Sequence, residues 1–227
     1  MFWQEDSENS GTIVQDMVDL GFKLEAKSIA LDHAQLLSET ILQALPWLTD
    51  ETDAGIHMIH VAASGNGWLR PENTENEVLC LSKRTRLHIR IPKGRIQEAN
   101  QLTGSLLSIG YSKIKIGSSQ SKPLTESSTL FARYVVSDTT ESENDFLQRQ
   151  ADMLTKMGIN VKKMLCGMTN VFKISGQAIH SKSLMLAELT PEESILMQEK
   201  GLGPLRLSGF GLFNPHKGIA AVFDSKE

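Results

Sequence analysis

Six histidines, His33, His57, His60, His88, His180 and His216, are the residues here best suited to moving protons near neutral pH. An unperturbed imidazole titrates at about 6.5, so it can give or take a proton at working pH. A second set of residues suits anions: Lys83, Arg84, Arg86, Arg90, Lys93 and Arg95 fall within residues 83–95 with no acidic residue among them. A third is the run Gly201-Leu202-Gly203-Pro204-Leu205-Arg206-Leu207-Ser208-Gly209-Phe210-Gly211, with glycines spaced G-x-G-x5-G-x-G. Glycine permits positive φ and lets backbone N–H groups approach phosphate oxygens closely. The spacing is neither a dinucleotide-binding fingerprint nor a P-loop, because the run follows a helical segment and no Gly-Lys-Ser/Thr closes it. No compact set of His, Asp and Glu with metal-ligand spacing stands out, so neither a metal nor another cofactor is expected. His57 and His60 are near enough in sequence to warrant a chelator control.

The elements that must position these residues follow from periodicity. Residues 22–31 alternate apolar and polar and read as a strand. Asp32 suits a helix N-cap, and Leu36, Leu37, Ile41, Leu42, Leu45 and Leu48 form an apolar helical face. Residues 56–62 read as a strand, on which His57 and His60 face opposite sides. Residues 64–67 (Ser-Gly-Asn-Gly) make a turn, and residues 71–78 a polar loop. Residues 86–91 alternate cleanly, with Leu87, Ile89 and Ile91 inward and Arg86, His88 and Arg90 outward. A helix over 95–109 and a short strand at 113–116 complete a β-α-β-β-α-β unit.

A second pass of the same kind begins after Pro123. Strands are expected at 129–136, 161–166, 171–174 and 183–189. Helices are expected over 143–157, with Phe146, Ala151 and Leu154 inward, and after Thr190, with Pro191 at the first helical position. The fold class is therefore α+β, with tandem ferredoxin-like (RRM-like) units. An acidic leader would span residues 1–19, an N-terminal ferredoxin-like domain 20–122, and a C-terminal one, carrying the glycine-rich loop, 123–227. The duplication has no counterpart in sequence identity.

Composition sets limits. The chain of 227 residues is long enough for two small cores, and 40% hydrophobic with 22% charged residues is ordinary for a globular protein. No apolar run approaches the ~20 residues of a membrane span. The first nine residues are acidic rather than basic, unlike a signal or transit peptide. Two cysteines, Cys80 and Cys166, argue against a disulfide framework and suit a reducing compartment, so a cytoplasmic location is expected. A net charge of −4 does not advertise a nucleic-acid binder, but only local field acts on a phosphate within a Debye length. The basic run at 83–95 is consistent with RNA bound on one face; Lys and Arg guarding a strand edge would give the same pattern.

The glycine loop at the end of a double ferredoxin-like chain resembles the repeat-associated RNA-binding superfamily. Within it, the chain is similar to the CRISPR precursor-RNA-processing endoribonucleases, and especially to the myxobacterial subtype. The similar segments are Leu31-Asp32-His33, Leu45-Pro46-Trp47-Leu48, Gly55-Ile56-His57, Ser64-Gly65-Asn66-Gly67, Arg84-Thr85-Arg86-Leu87, Ser183-Leu184-Met185-Leu186 and Phe213-Asn214-Pro215-His216-Lys217. The resemblance implies that CRISPR repeat RNA is bound and cut without a metal. The 2′-hydroxyl attacks the adjacent phosphate and leaves a 2′,3′-cyclic phosphate and a 5′-hydroxyl. Such a reaction needs a base, an acid and a cation for the developing charge. His57 is the first candidate catalyst, because the family commonly has its histidine after the first helix and its loop; His33 is second. Arg206, whose guanidinium can grip phosphate through two hydrogen bonds, is preferred over Lys217 for charge stabilisation. Some members place a tyrosine or lysine beside the histidine; the two tyrosines here, Tyr111 and Tyr134, are not near His57 in sequence, so that role is left unassigned. Lys83, Arg84, Arg86, Arg90, Lys93, Arg95, Lys217 and the loop glycines Gly201, Gly203, Gly209 and Gly211 are the expected RNA-binding set.

Three other readings compete. A non-cleaving RNA-binding subunit of a CRISPR effector complex would keep the fold and the basic face without needing His57, and other subunits of such a complex are conceivable partners. A metabolite-binding ferredoxin-like regulatory domain would show a ligand pocket and no RNA affinity. A metal-dependent nuclease would need a ligand cluster.

Overall fold

The computed structural model describes residues 15–60 and 77–216. The expected loop at 71–78, the turn at 64–67 and Lys217 lie wholly or largely outside them. The first half runs β1 (Met17–Glu25), β2 (Ser28–Ala30), α1 (Ala34–Ala44), β3 (Gly55–Ile56), β4 (Val78–Cys80), β5 (Arg86–Pro92), α2 (Ile96–Ala99), β6 (Leu106–Ile109) and β7 (Ser112–Pro123). The second half runs β8 (Thr129–Ser137), α3 (Glu143–Lys156), β9 (Lys163–Ile174), β10 (Gln177–Ala187), α4 (Pro191–Lys200) and β11 (Asn214–Pro215).

The strand orders are β3-β5-β1-β7-β6 and β11-β8-β10-β9, with β2 and β4 forming a separate small pair. In each half the last strand of the unit lies beside the first, and the first lies beside the third. This is the antiparallel ferredoxin-like order, repeated, with β6 added as a hairpin partner of β7. The α+β tandem architecture is therefore the observed one.

Local sequence explains most elements. In α1, Leu37 and Ile41 are buried at helical spacing, whereas Leu36 points outward. Pro46 stops the helix and opens a short 3₁₀ turn at Pro46–Asp50. Ser142 caps α3 by accepting the Asp145 N–H at 3.1 Å. Thr190 and Glu193 form a reciprocal capping box at the start of α4, with Pro191 in its first turn. Leu87, Ile89 and Ile91 of β5 face the first-half core as expected.

Several boundaries differ from expectation. β1 begins at Met17, so residues 17–19 are strand rather than leader, and the chain breaks before β2 instead of running extended to residue 31. The helix expected over 95–109 shrinks to four residues flanked by 3₁₀ turns. Gly104 turns the chain at φ 84°, and residues 106–109 pair with β7. The strand after α1 ends at Ile56, so His57 and His60 lie on non-strand backbone. Asp32 is not the α1 cap; His33 occupies that position, without a capping side-chain bond. The expected strands at 161–166 and 171–174 are one long strand, β9.

Candidate nucleic-acid interface

On the solvent face of the first sheet, β1 contributes Asp19, Gly21 and Lys23, alternating with the buried Leu20, Phe22 and Leu24. Cross-strand register sets Lys23 opposite Arg86, Gly21 opposite His88 and Asp19 opposite Arg90. On the other flank β7 sets Gln120 opposite Gly21 and Lys122 opposite Asp19. A cleft of about 390 Å³ opens over this face, lined by Asp19, His57, Met58, His60, Arg86, His88 and Lys122, with Arg84, Thr85 and Asn214 at its margins. It shares Asp19, Arg86, His88 and Lys122 with an adjoining cleft that runs over Gly21 and Lys23 to Ser118–Pro123 of β7. Three imidazoles and four cations thus border one concave surface.

His57 is held by its backbone, whose N–H donates to the His88 carbonyl at 3.0 Å. Its Nε2 is buried and lies 3.5 Å from Asp19 Oδ1, too long for a good hydrogen bond. Burial pushes the His57 pKa below its ordinary value; Asp19 pulls it partly back, and Arg90 and Arg206 push it further down. The ring is therefore neutral at pH 7. His88 stands edge-on to His57, with centroids 6.2 Å apart, and is also shifted down, first by the desolvating cleft walls and then by His57. His60 shares the cleft with His57, contrary to the opposite-face expectation, because the backbone there is no longer a strand. Its ring lies 5.7 Å from that of Tyr134 on β8. Tertiary structure thus brings a tyrosine close to His60, although none is near in sequence.

His33 does not reach the cleft. It is buried, with Nδ1 2.9 Å from the Ala30 carbonyl and Nε2 accepting the Ile59 N–H at 3.0 Å. Since Nε2 accepts, Nδ1 carries the proton and donates to Ala30. Nε2 thus braces the segment bearing His57 and His60, while Nδ1 ties the ring to Ala30 of β2, so both nitrogens are engaged within the protein.

Arg206 also departs from expectation. Its guanidinium is buried and donates to the carbonyls of Lys200, Glu199, Asp53 and Ala54. It thereby satisfies the C-terminal carbonyls of α4 and ties them to the loop before β3. Burial, then Arg90, pushes its pKa down to about 10, so it remains cationic, but its donors face protein and not phosphate.

The glycine loop is likewise an internal joint. Gly201 and Gly211 are buried, and the N–H groups of Leu202, Phe210 and Gly211 donate to Gly211, Leu205 and Tyr134 carbonyls. A β-carbon on Gly209 would press on Met58, and one on Gly55 would strike Leu212. Gly209 therefore serves close packing between the halves, Gly201 and Gly211 serve close packing within the loop itself, against Arg206 and the Leu202 backbone, and of the loop glycines Gly203 alone has open space around it.

The basic run divides three ways. Arg84 and Arg86 border the cleft, and Lys83 is exposed beside them. Arg90 is fully buried: Nε and Nη2 grip Asp19 at 2.8 and 2.9 Å, Nη1 donates to the Gln198 and Phe213 carbonyls, and Nη2 also reaches Asn214 Oδ1. All five donors of that guanidinium are used within the protein, so it is an inter-half clasp and not an RNA contact. Lys93 is exposed, and Arg95 pairs with Glu51 and Glu98 over the Trp47 ring, both at the far end of β5. At about 3.3 Å per strand residue, they are ~20 Å or more from Arg84. Lys217 is outside the described residues.

Sequence reading missed Asp19, Gly21, Lys23 and Lys122. The first three were legible as the polar phase of an alternating D-x-G-x-K stretch had the strand been started at Met17; Lys122 reaches the cleft only through the pairing of β7 with β1.

Known proteins give a consistent picture. The Cas6 family model, described as Cas6 Crispr, matches residues 18–218. The CRISPR-associated endonuclease Cas6 of Myxococcus xanthus strain DK1622 is 28% identical over 205 residues, covering 90% of this chain and 84% of that protein. Among solved structures, a CRISPR-associated protein Cas6 superposes with a TM-score of 0.62 at 11% identity, over 89% of this chain and 100% of that one. A Cas6-related protein from Pyrococcus furiosus gives 0.61 at 14% identity, over 88% and 99%. At those identities the structural likeness is one of fold. The family match, extending from β1 to past β11 on the tandem sheet topology, carries the assignment: this chain belongs to the Cas6 family.

Proposed function

We propose that this chain binds CRISPR repeat RNA and cuts the precursor transcript into guide RNAs without a metal, by attack of the 2′-hydroxyl on the adjacent phosphate. The products are a 2′,3′-cyclic phosphate and a 5′-hydroxyl. The observation that supports this best is the convergence of His57, His60 and His88 with Arg84, Arg86 and Lys122 around one cleft. His57, kept neutral by burial, acts as the general base. His88 is a poor acid, since its surroundings disfavour its charged form, so His60 returns the proton to the leaving 5′-oxygen. Arg84, Arg86 and Lys122 stabilise the charge on the phosphoryl oxygens, the role first given to Arg206. The myxobacterial relative is an endonuclease by name, and the cleft supplies a base, an acid and cations for that chemistry.

The test is incubation of the protein, in EDTA, with a labelled host repeat RNA and with the same RNA carrying a 2′-deoxy at the cut. Site-specific cleavage to a cyclic phosphate, lost with the deoxy substrate and with His57→Ala, is the expected result. Tight binding without cleavage would instead favour a non-cleaving RNA-binding subunit. No binding at low salt would remove both.

A further inference from the structure

Asp19 and Arg90 are opposite each other on β1 and β5, and their pairing is two-pronged, at 2.8 and 2.9 Å. Arg90 is completely buried, and its remaining donors go to Gln198, Phe213 and Asn214 of the second half. Asp19 also faces His57: Oδ1, which accepts from Arg90 Nε, is 3.5 Å from His57 Nε2. That nitrogen is buried and has no hydrogen-bond partner among the described residues. A bare lone pair on it would face a carboxylate, whereas a proton there is attracted to one. The other edge of the ring is what remains to meet a substrate in the cleft.

We propose that Asp19 is a positioning residue for His57, holding the imidazole with its Nε2–H toward the carboxylate and its Nδ1 toward the RNA. Arg90 links this orientation to the docking of the two halves. The inference rests on the reading of His57 as the catalytic histidine. The Asp19 carboxylate is itself fixed as an anion: burial alone would raise its pKa, but the Arg90 guanidinium and then His57 outweigh burial and hold it well below the usual carboxylate range. Oriented in this way, the ring is the correct tautomer before RNA arrives, and the long 3.5 Å approach needs only to shorten by a few tenths of an ångström in the complex. The charged and titratable groups facing His57 are Asp19 from β1, His88 and Arg90 from β5, and Arg206 from the glycine loop, with His60, Arg84, Arg86 and Lys122 around the cleft.

Two measurements on the full chain decide this. Nitrogen-15 NMR of histidine-labelled wild-type protein at neutral pH is expected to show His57 as the Nε2–H tautomer; the Nδ1–H tautomer would overturn the proposal whether or not any variant folds. Single-turnover cleavage by Asp19→Asn is expected to fall on the order of 10²-fold, the cost of misplacing a reacting group. Its affinity for the 2′-deoxy repeat RNA should stay within about threefold of wild type, a factor worth well under one kcal/mol. Because Asp19 raises the His57 pKa, the acid limb of the pH–rate profile should move to lower pH in this variant, a shift that loss of packing alone does not produce. Wild-type cleavage with an unmoved limb in Asp19→Asn, while His57→Ala is inactive, overturns the positioning role and leaves the nuclease reading standing. Normal cleavage by His57→Ala removes the assignment of His57 as the catalytic histidine, on which the proposal rests.

Discussion

Gly21 and His88 are cross-strand partners on β1 and β5, and a β-carbon on Gly21 would lie 2.9 Å from the His88 imidazole. The ring lies over the bare glycine and forms the floor shared by the two adjoining clefts. Gly21→Ala is therefore expected to displace His88, which is free to swing because the obstacle is the end of a side chain. Repeat-RNA cleavage should fall severalfold while the melting temperature barely changes. Unaltered cleavage would show that the position of His88 is irrelevant.

Arg90→Met would leave Asp19 buried without its cation and free three acceptors in the second half. Breaking a buried pair from one side typically costs about 3–5 kcal/mol. Urea unfolding should show a loss of that order, whereas Lys93→Met, on an exposed residue of the same strand region, should lie within about 0.5 kcal/mol of wild type. Equal effects would contradict the clasp.

Acid should weaken the fold in two stages. The His57 pKa is lower folded than unfolded, so below about pH 6.5 the unfolded chain takes up a proton that the native state resists, and stability falls as pH drops. His88 contributes in the same direction. Asp19 is depressed too, so its contribution is complete above about pH 4 and is lost on further acidification. Thermal melts between pH 7.5 and 5, measured with His57→Gln alongside, should show a shallower decline in the variant. Parallel declines would mean that His57 protonates freely in the fold.

The salt dependence of RNA binding should separate the two ends of β5. Removing one cation from a phosphate lowers the log–log slope by about 0.7 for single-stranded RNA, so Arg84→Ala with Arg86→Ala should reduce it by ~1.4. Lys93→Ala with Arg95→Ala should leave it unchanged, since Arg95 is already paired with Glu51 and Glu98. The reverse pattern would move the RNA path to the other end of the sheet.

Two glycines of the same loop should respond differently. Gly201 has φ 62° and ψ −162°, a region essentially confined to glycine, and an added β-carbon would run into the Arg206 guanidinium. Gly203 also has positive φ but open space around it. Gly203→Ala should cost about 1–2 kcal/mol, the left-handed penalty alone, and Gly201→Ala distinctly more. Chemical denaturation of the pair checks this; equal losses would argue against the steric role of Arg206.

Sequence by itself determined the architecture, because its signals are local. Alternation in residues 86–91, the Thr190–Pro191–Glu193 start of α4, the Ser142 cap and Pro46 after α1 each act within one or two turns of chain, and each appears where periodicity and capping chemistry require. His57, Arg84 and Arg86 were legible as candidates from residue type and from the family likeness. Tertiary structure decided the rest. Which of six basic residues faces solvent depends on what covers the strand, and the second half covers β5 at Arg90, where a guanidinium making five hydrogen bonds to four protein residues offers nothing to RNA. The glycine run and Arg206 look like a phosphate cradle in one dimension, but Arg206 spends its donors on α4 and the loop before β3 once the halves dock, and N–H groups of Gly201, Leu202, Gly209, Phe210 and Gly211 are spent on α4, the loop itself and β8. Asp19, Gly21, Lys23 and Lys122 join the histidines through sheet register, and Tyr134 through the packing of β8 against the histidine segment. Register and docking are set by the fit of whole apolar faces, and no short window of sequence contains that information.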